Sequence, residues 1–248
     1  MEQLIKRLQK EIARTHDAAL VDTVQWTVPM QRLTVTYAPV ERLSMDILMK
    51  MLLMAFHELH VTSLDTISEL LAVEHLFVDD LTNTLLRNEL VAIDNDVYVL
   101  TARGSEQLAS GVYENAQQDE QLLVTYSPLH DAYFLDDVTA LYTLDLPEPY
   151  DYVNERDIEA AAPPQKPLIT LLQAQHNTDA DVKTYVSSIK HVEQVEMLEV
   201  PCIAFILYNR NDDVFSVRVW NMLLQRYDDV LEAHYQEHAI ATWRSTYV

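Results

Sequence analysis

The chain has 248 residues, 49% hydrophobic and 23% charged, enough for a buried core in one large domain or two modest ones. Its 17 Lys and Arg face 39 Asp and Glu, a formal charge of −22, which disfavours a general nucleic-acid or anionic-membrane surface because both depend on basic groups. Only two glycines occur, Gly104 and Gly111, so a P-loop, a GxGxxG dinucleotide fingerprint and a GxSxG nucleophile elbow are absent in their usual forms.

Residues 1–16 carry charge throughout and no long apolar stretch, which predicts a short amphipathic helix rather than a secretion signal. Val24, Trp26, Val28 and Met30 alternate with polar residues, as do Leu33, Val35 and Tyr37. That period of two predicts two half-buried strands, with Pro29 placing the first at an edge or a bulge. Ser44 then opens a helix in which Met45, Leu48, Met51, Leu52, Ala55 and Leu59 fall at helical spacing. Ile47, Met49, Leu53 and Met54 make it apolar nearly all round, yet Asp46 and Lys50 interrupt it and it is too short for a membrane span. It needs cover on two sides, either from neighbouring strands and a second domain or from a second copy across its Met-rich face.

Residues 62–73 begin with Ser/Thr capping chemistry and place Leu64, Ile67, Leu70 and Leu71 on one face. A turn at Glu74-His75-Leu76-Phe77 leads into a helix from Val78 to Leu90, striped by Val78, Leu81, Leu85 and Leu86. Two short strands follow around Asp94-Asn95-Asp96, residue types that tolerate the left-handed turn conformations. Thr101 to Leu108, LTARGSEQL with the preceding Leu100, starts another helix. This order of helix, helix, turn, helix, hairpin and LTxxGxxxL resembles the winged-helix branch of the helix-turn-helix superfamily over residues 44–111. The resemblance implies that the outward face of the second helix of the pair, with Asp80, Asn83, Thr84 and Arg87, and the hairpin tip with Asn95, form the contact surface. Residues 45–112 hold three basic against eleven acidic side chains, which argues against unaided DNA binding and for a protein partner, one with basic character.

From Tyr113 to Gln165, twelve acidic residues face the single Arg156, and Pro147, Pro149, Pro163, Pro164 and Pro167 punctuate the chain. Residues 145–167 are therefore expected to form a linker or wrapped arm whose Tyr150 and Tyr152 dock on a surface. Leu122 to Pro128 echoes Leu33 to Pro39, so these two stretches are expected to pair. Farther on, Val182, Tyr185, Val186, Ile189 and Val192 suggest an amphipathic helix over 180–192, N-capped by Asp179. Strands EQVEMLEV, CIAFILYN and VFSVRVWN follow, the last two joined by Arg210 to Asp213, and a helix from Met222 to His238 carries Leu224, Tyr227, Leu231 and Tyr235. Cys202 lies in the uninterrupted CIAFIL run and is expected to be a small buried hydrophobe.

Chemistry-bearing patterns are sparse. His234-Tyr235-Gln236-Glu237-His238 matches HxxEH, but no carboxylate follows in AIATWRSTYV to complete a zinc site. His57 and His60 sit at a helix end, where the dipole explains them. Asp136-Asp137, Asp212-Asp213 and Asp228-Asp229 lie near turns and helix starts, where solvated or capping roles are the default. No catalytic residue, metal ligand or cofactor is assigned.

The expected fold is α+β in four consecutive parts: a helix and two strands over 1–43, the winged-helix domain over 44–112, a strand and acidic connector over 113–166, and a C-terminal α+β domain with an antiparallel sheet over 167–248. The expected function is that of a non-enzymatic, cytoplasmic regulatory or scaffold protein whose acidic winged helix binds a protein partner. The alternatives are a dimeric DNA-binding regulator with a C-terminal sensing domain, and a hydrolase with a site in the C-terminal domain. No membrane partner is expected, and a homodimer is left open.

Overall fold

The computed structural model describes residues 2–15, 17–176 and 183–247. The fold is mixed α+β, with a large antiparallel sheet and helices. In chain order it runs α1 (Glu2–Thr15), β1 (Ala19–Ser44), α2 (Ile47–Glu58), α3 (Leu64–Leu71), α4 (His75–Arg87), β2 (Val91–Asp94), β3 (Val97–Leu100) and α5 (Ala102–Ser110). The rest comprises β4 (Val112–Ala116), β5 (Glu120–Ser127), β6 (Ala132–Phe134), α6 (Glu155–Ala160), α7 (Gln165–His176), β7 (Lys183–Asn209), β8 (Val214–Asn221), β9 (Arg226–Tyr227) and α8 (Asp229–Tyr247).

Contacts divide the chain into two compact units that are discontinuous in sequence, unlike the consecutive segments expected above. Unit 1 holds residues 1–35, 121–168 and 191–248; unit 2 holds residues 36–120 and 169–190. Strands β1 and β7 contribute residues to both, because each is far longer than its alternation suggested. The two strands expected before residue 38 are one strand of 26 residues, and the helix expected over 180–192 is strand from Lys183 onward, while its Asp179 cap and Val182 lie outside the described residues. Tyr185 and Ile189 have a spacing that suits a helix turn, but strand pairing decided the outcome, as β-branched Thr184, Val186 and Val192 allow.

In unit 1 the strand order is β6-β5-β1-β7-β8-β9, so β5 does pair with β1, as the repeated LxVTYxP pattern suggested. CIAFIL in β7 lies between β1 and β8 and is apolar on both faces because both are covered. Ile203, Phe205 and Leu207 pack on Leu8 and Ile12 of α1, while Cys202, Ala204 and Ile206 face a core with Val28, Met30, Leu231 and Trp243. Cys202 is fully buried, and burial pushes its thiol pKa well up. The β7–β8 hairpin closes over Arg210–Asp213 as expected. Helix α8, however, starts at Asp229 rather than Met222, so Leu224 and Tyr227 belong to the turn and to β9, and the core line continues through Leu231, Tyr235, Ala239 and Trp243.

The acidic segment from 145 to 167 is a strap rather than a free linker. Thr27 pairs with Pro149, accepting from the Tyr150 N–H at 2.9 Å and donating to the Glu148 carbonyl at 3.0 Å. Pro29, two residues along, has no N–H to continue this pairing, but β1 as a whole lies between β5 and β7 and is not the edge strand expected from the proline. The Gln31 amide donates to the carbonyls of Ile158 and Ala161 at 2.5 and 2.8 Å, satisfying the C-terminal end of α6.

In unit 2, residues 45–113 build their own core from Leu52, Leu53, Phe56, Ile67, Val78, Leu85 and Leu90. Asp46, not Ser44, caps α2 by accepting from the Met49 N–H at 2.8 Å; Ser44 is the last residue of β1. Ser63 caps α3, and α4 begins at His75, so His75, Leu76 and Phe77 are helical rather than a turn. Asn95 and Asp96, with φ of 49° and 61°, form the tight turn of the β2–β3 hairpin, and Val61 bridges to Tyr98 of β3. Thr101 accepts from the Gly104 N–H at 3.0 Å and donates to the Glu89 carbonyl at 2.7 Å. A Cβ on Gly104 would stand 2.1 Å from the Leu90 carbonyl oxygen, so the glycine is required for α5 to approach that backbone. The LTxxG pattern is thus explained by one cap and one close approach.

Candidate functional site

The outward face of α4 combines polar and apolar groups. At 100° per residue, Leu76, Asp80, Asn83 and Arg87 fall within one exposed sector opposite the buried Val78, Thr82 and Leu85, with Phe77 and Thr84 at its margin. Leu76 and Phe77 are 61% and 60% exposed. Helix position is set at the far end by Asn88, whose amide donates to the Tyr113 hydroxyl at 2.8 Å and accepts from the Ala116 N–H at 3.0 Å. Polar members of the face bond within the helix: Asn83 donates to Asp79 at 3.2 Å, Thr84 to the Asp80 carbonyl at 3.0 Å, and Arg87 to the Thr84 hydroxyl at 3.0 Å. Asn95 is exposed at the hairpin tip, beside exposed Asp94 and Asp96.

Helix α2 shows the same imbalance. Met49, Leu52, Leu53, Ala55 and Phe56 are buried, while Ile47, Met51 and Met54, spaced to share one stripe, are 74%, 41% and 55% exposed. The cover expected on its second side is therefore absent among the described residues.

Two of the basic groups in unit 2 are not free charges. Arg42 and Arg103 both turn to Glu114, at 2.8 and 3.6 Å, and the Arg42 guanidinium lies 4.3 Å from the centre of the Tyr185 ring. An arginine held this way has part of its field cancelled before any phosphate arrives.

Two of the residues expected to meet a partner belong to unit 1, and they behave differently. Tyr150 is only 3% exposed: its ring stacks on Trp26 with centroids 4.3 Å apart, and its hydroxyl meets His234 Nδ1 at 3.1 Å. It anchors the strap to its own unit and is corrected from an external contact to an internal one. Tyr152 remains 38% exposed. His234 and His238 stack on each other at 4.3 Å, and burial with the neighbouring His238 lowers the His234 pKa. Among the described residues no group of three or more His, Cys, Asp or Glu is placed to hold a metal.

One constellation in unit 1 was not legible from sequence. His130 Nε2 lies 2.9 Å from Asp228 Oδ2, and Nδ1 lies 2.6 Å from the Ser127 hydroxyl. Burial would raise the Asp228 carboxyl, but hydrogen bonds from His130 and Asn221, the His130 charge and the Leu231 N–H together hold it below the usual range. The order Ser, His, Asp invites comparison with a hydrolytic triad. Ser127, however, is fully buried, so its hydroxyl does not meet a substrate. The cluster joins the 127–130 turn to the start of α8, where Asp228 accepts from the Leu231 N–H at 3.2 Å.

No family model, characterised protein or solved structure matches the chain. Function therefore rests on the residues themselves. Among the described residues no helix is long and apolar enough to cross a membrane. Leu76 and Phe77 were missed because two adjacent apolar residues after Glu74 look like a turn packed inward; Glu74 as a helix boundary, with Val78 and Leu81 beyond it, was the signal available.

Proposed function

We propose that this chain is a non-catalytic regulatory or scaffold protein whose residues 44–111 act as an acidic module of winged-helix type, binding a protein partner that presents apolar side chains among basic ones. The order α2, the Val61 bridge, α3, α4 and the β2–β3 hairpin supports the winged-helix reading. The observation that carries the functional reading is the pair Leu76 and Phe77, exposed at the start of α4 with Glu74 and Asp80 beside them. Large exposed apolar groups ringed by charge of one sign suit a partner surface of opposite charge, the apolar pair supplying affinity and the carboxylates the encounter rate. Duplex DNA would meet this face with repulsion, and its phosphates would find only Arg87, already bonded to Thr84.

The test is fluorescence anisotropy with a labelled amphipathic helical peptide of leucine and lysine, against duplex DNA of equal length, at low and moderate salt. The peptide should bind with affinity that weakens as salt rises, and Phe77→Ser should weaken it at least tenfold with an unchanged circular dichroism spectrum. Tighter binding of DNA than of peptide, or peptide binding indifferent to Phe77→Ser, would overturn the proposal.

A further inference from the structure

The strap, β1 and α8 of unit 1 enclose a cleft of about 310 Å³, at the lower end of the range of small-molecule sites. Six aromatic side chains line it, Tyr247 among them. Trp26 stacks on Tyr150, and Tyr235 stands edge-on to both, at 5.7 and 5.6 Å. Tyr152 lies 5.6 Å from Tyr150 at 72°, and Trp243 lies 5.2 Å from Tyr235 at 83°. Steep angles between neighbours give the cleft walls that differ in direction rather than one flat stack. Glu148 and Asp151 also line it, and no Lys or Arg does. The indole N–H of Trp26 is buried and has no acceptor among the described residues. A buried donor left unpaired is costly, and a ligand bearing an oxygen would relieve that cost.

We infer that this cleft binds a trimethylammonium group, either on a free small molecule or on a methylated lysine side chain. Ring faces carry negative electrostatic potential and attract a cation within about 6 Å of the centroid. Glu148 and Asp151 add charge of the same attractive sign without a resident base to cancel it. A primary ammonium would have to give up strong hydration to enter among the rings. A quaternary head is weakly hydrated and presents methyl groups to the rings, so aromatic walls favour it. This site is separate in residues and chemistry from the α4 face, and neither reading depends on the other.

Tryptophan fluorescence of the full chain reports the site, since Trp26 and Trp243 line it. The probes are choline, its neutral isostere 3,3-dimethyl-1-butanol, a peptide bearing trimethyllysine and the same peptide with unmodified lysine. Saturable quenching by choline or by the trimethyllysine peptide, at least tenfold tighter than by the matched control, is the expected result; whichever binds more tightly identifies the source. Tyr152→Ala, at the exposed rim, should weaken that binding at least fivefold while Tyr152→Phe retains it, with the circular dichroism spectrum unchanged in both. The inference is overturned if neither trimethylammonium probe quenches saturably, if the matched controls bind equally well, or if Tyr152→Ala leaves the affinity intact.

Discussion

Glu232→Gln in unit 1 should convert a pH-sensitive stability into a flatter one. The carboxylate sits in the first turn of α8 with its side chain 13% exposed, accepting from the Val219 N–H at 3.1 Å. Arg218 Nε is equally close at 3.1 Å, yet its N–H is not aimed at the oxygen and is left without a partner, so the pair attracts without a directed bond. Burial wins over both: it pushes Glu232 from the ordinary 4.5 to about 7, with Asp229 and Asp228 adding to the rise. An acid whose folded pKa exceeds its unfolded one is stabilising in relative terms while protonated, and that stability is lost as pH climbs from 4.5 to about 7. At about 1.4 kcal/mol per pH unit, the loss between pH 5 and 8 comes to about 2.5 kcal/mol. Glutamine keeps the acceptor for Val219 and cannot ionise. Urea unfolding followed by tryptophan emission reads this unit alone, because Trp26, Trp220 and Trp243 all lie in it. The variant should gain about 2.5 kcal/mol on wild type between pH 5 and pH 8. Parallel curves for the two proteins over that range would refute the reasoning.

In unit 2, Gly104→Ala should destabilise by about 3 kcal/mol or more, because the new Cβ meets the Leu90 backbone oxygen at 2.1 Å and the Leu100 side chain at 2.6 Å, and backbone cannot step aside cheaply. Thermal melts by far-ultraviolet circular dichroism would show it as a lowered midpoint. Ala72→Gly should act in the opposite direction, raising stability by about 0.5–1 kcal/mol in the same melts, since Ala72 ends α3 with a φ of 53° that costs an L-residue with a Cβ.

The helical part of unit 2 was legible because its signals are local. Ser63 and Thr101 cap where their residue types predict, and Asn95 and Asp96 turn where glycine is missing. Cys202 is buried because CIAFIL is covered on both faces, which an unbroken apolar run already implies. The strands were harder. A 26-residue strand and one of 27 residues need partners brought from distant sequence, and nothing in a local window distinguishes two short strands from one long one. The cluster of Ser127, His130 and Asp228 joins residues about a hundred positions apart, beyond any spacing rule. Tyr150 illustrates the converse: its residue type suggested an anchor, correctly, but the surface it grips is its own unit's Trp26.

The three-segment make-up of unit 1 bears on how the protein is made. A nascent chain that has emerged only through residue 190 holds Trp26, Val28 and Met30 but not β8 or α8, whose Val217, Val219, Leu231 and Trp243 complete their core. Translation proceeds at about 5–20 residues per second, so β1 stays without its final neighbours for seconds after synthesis begins. During that interval an open strand can pair with another polypeptide, and cells short of chaperone capacity should accumulate this protein as aggregates before they lose it to degradation.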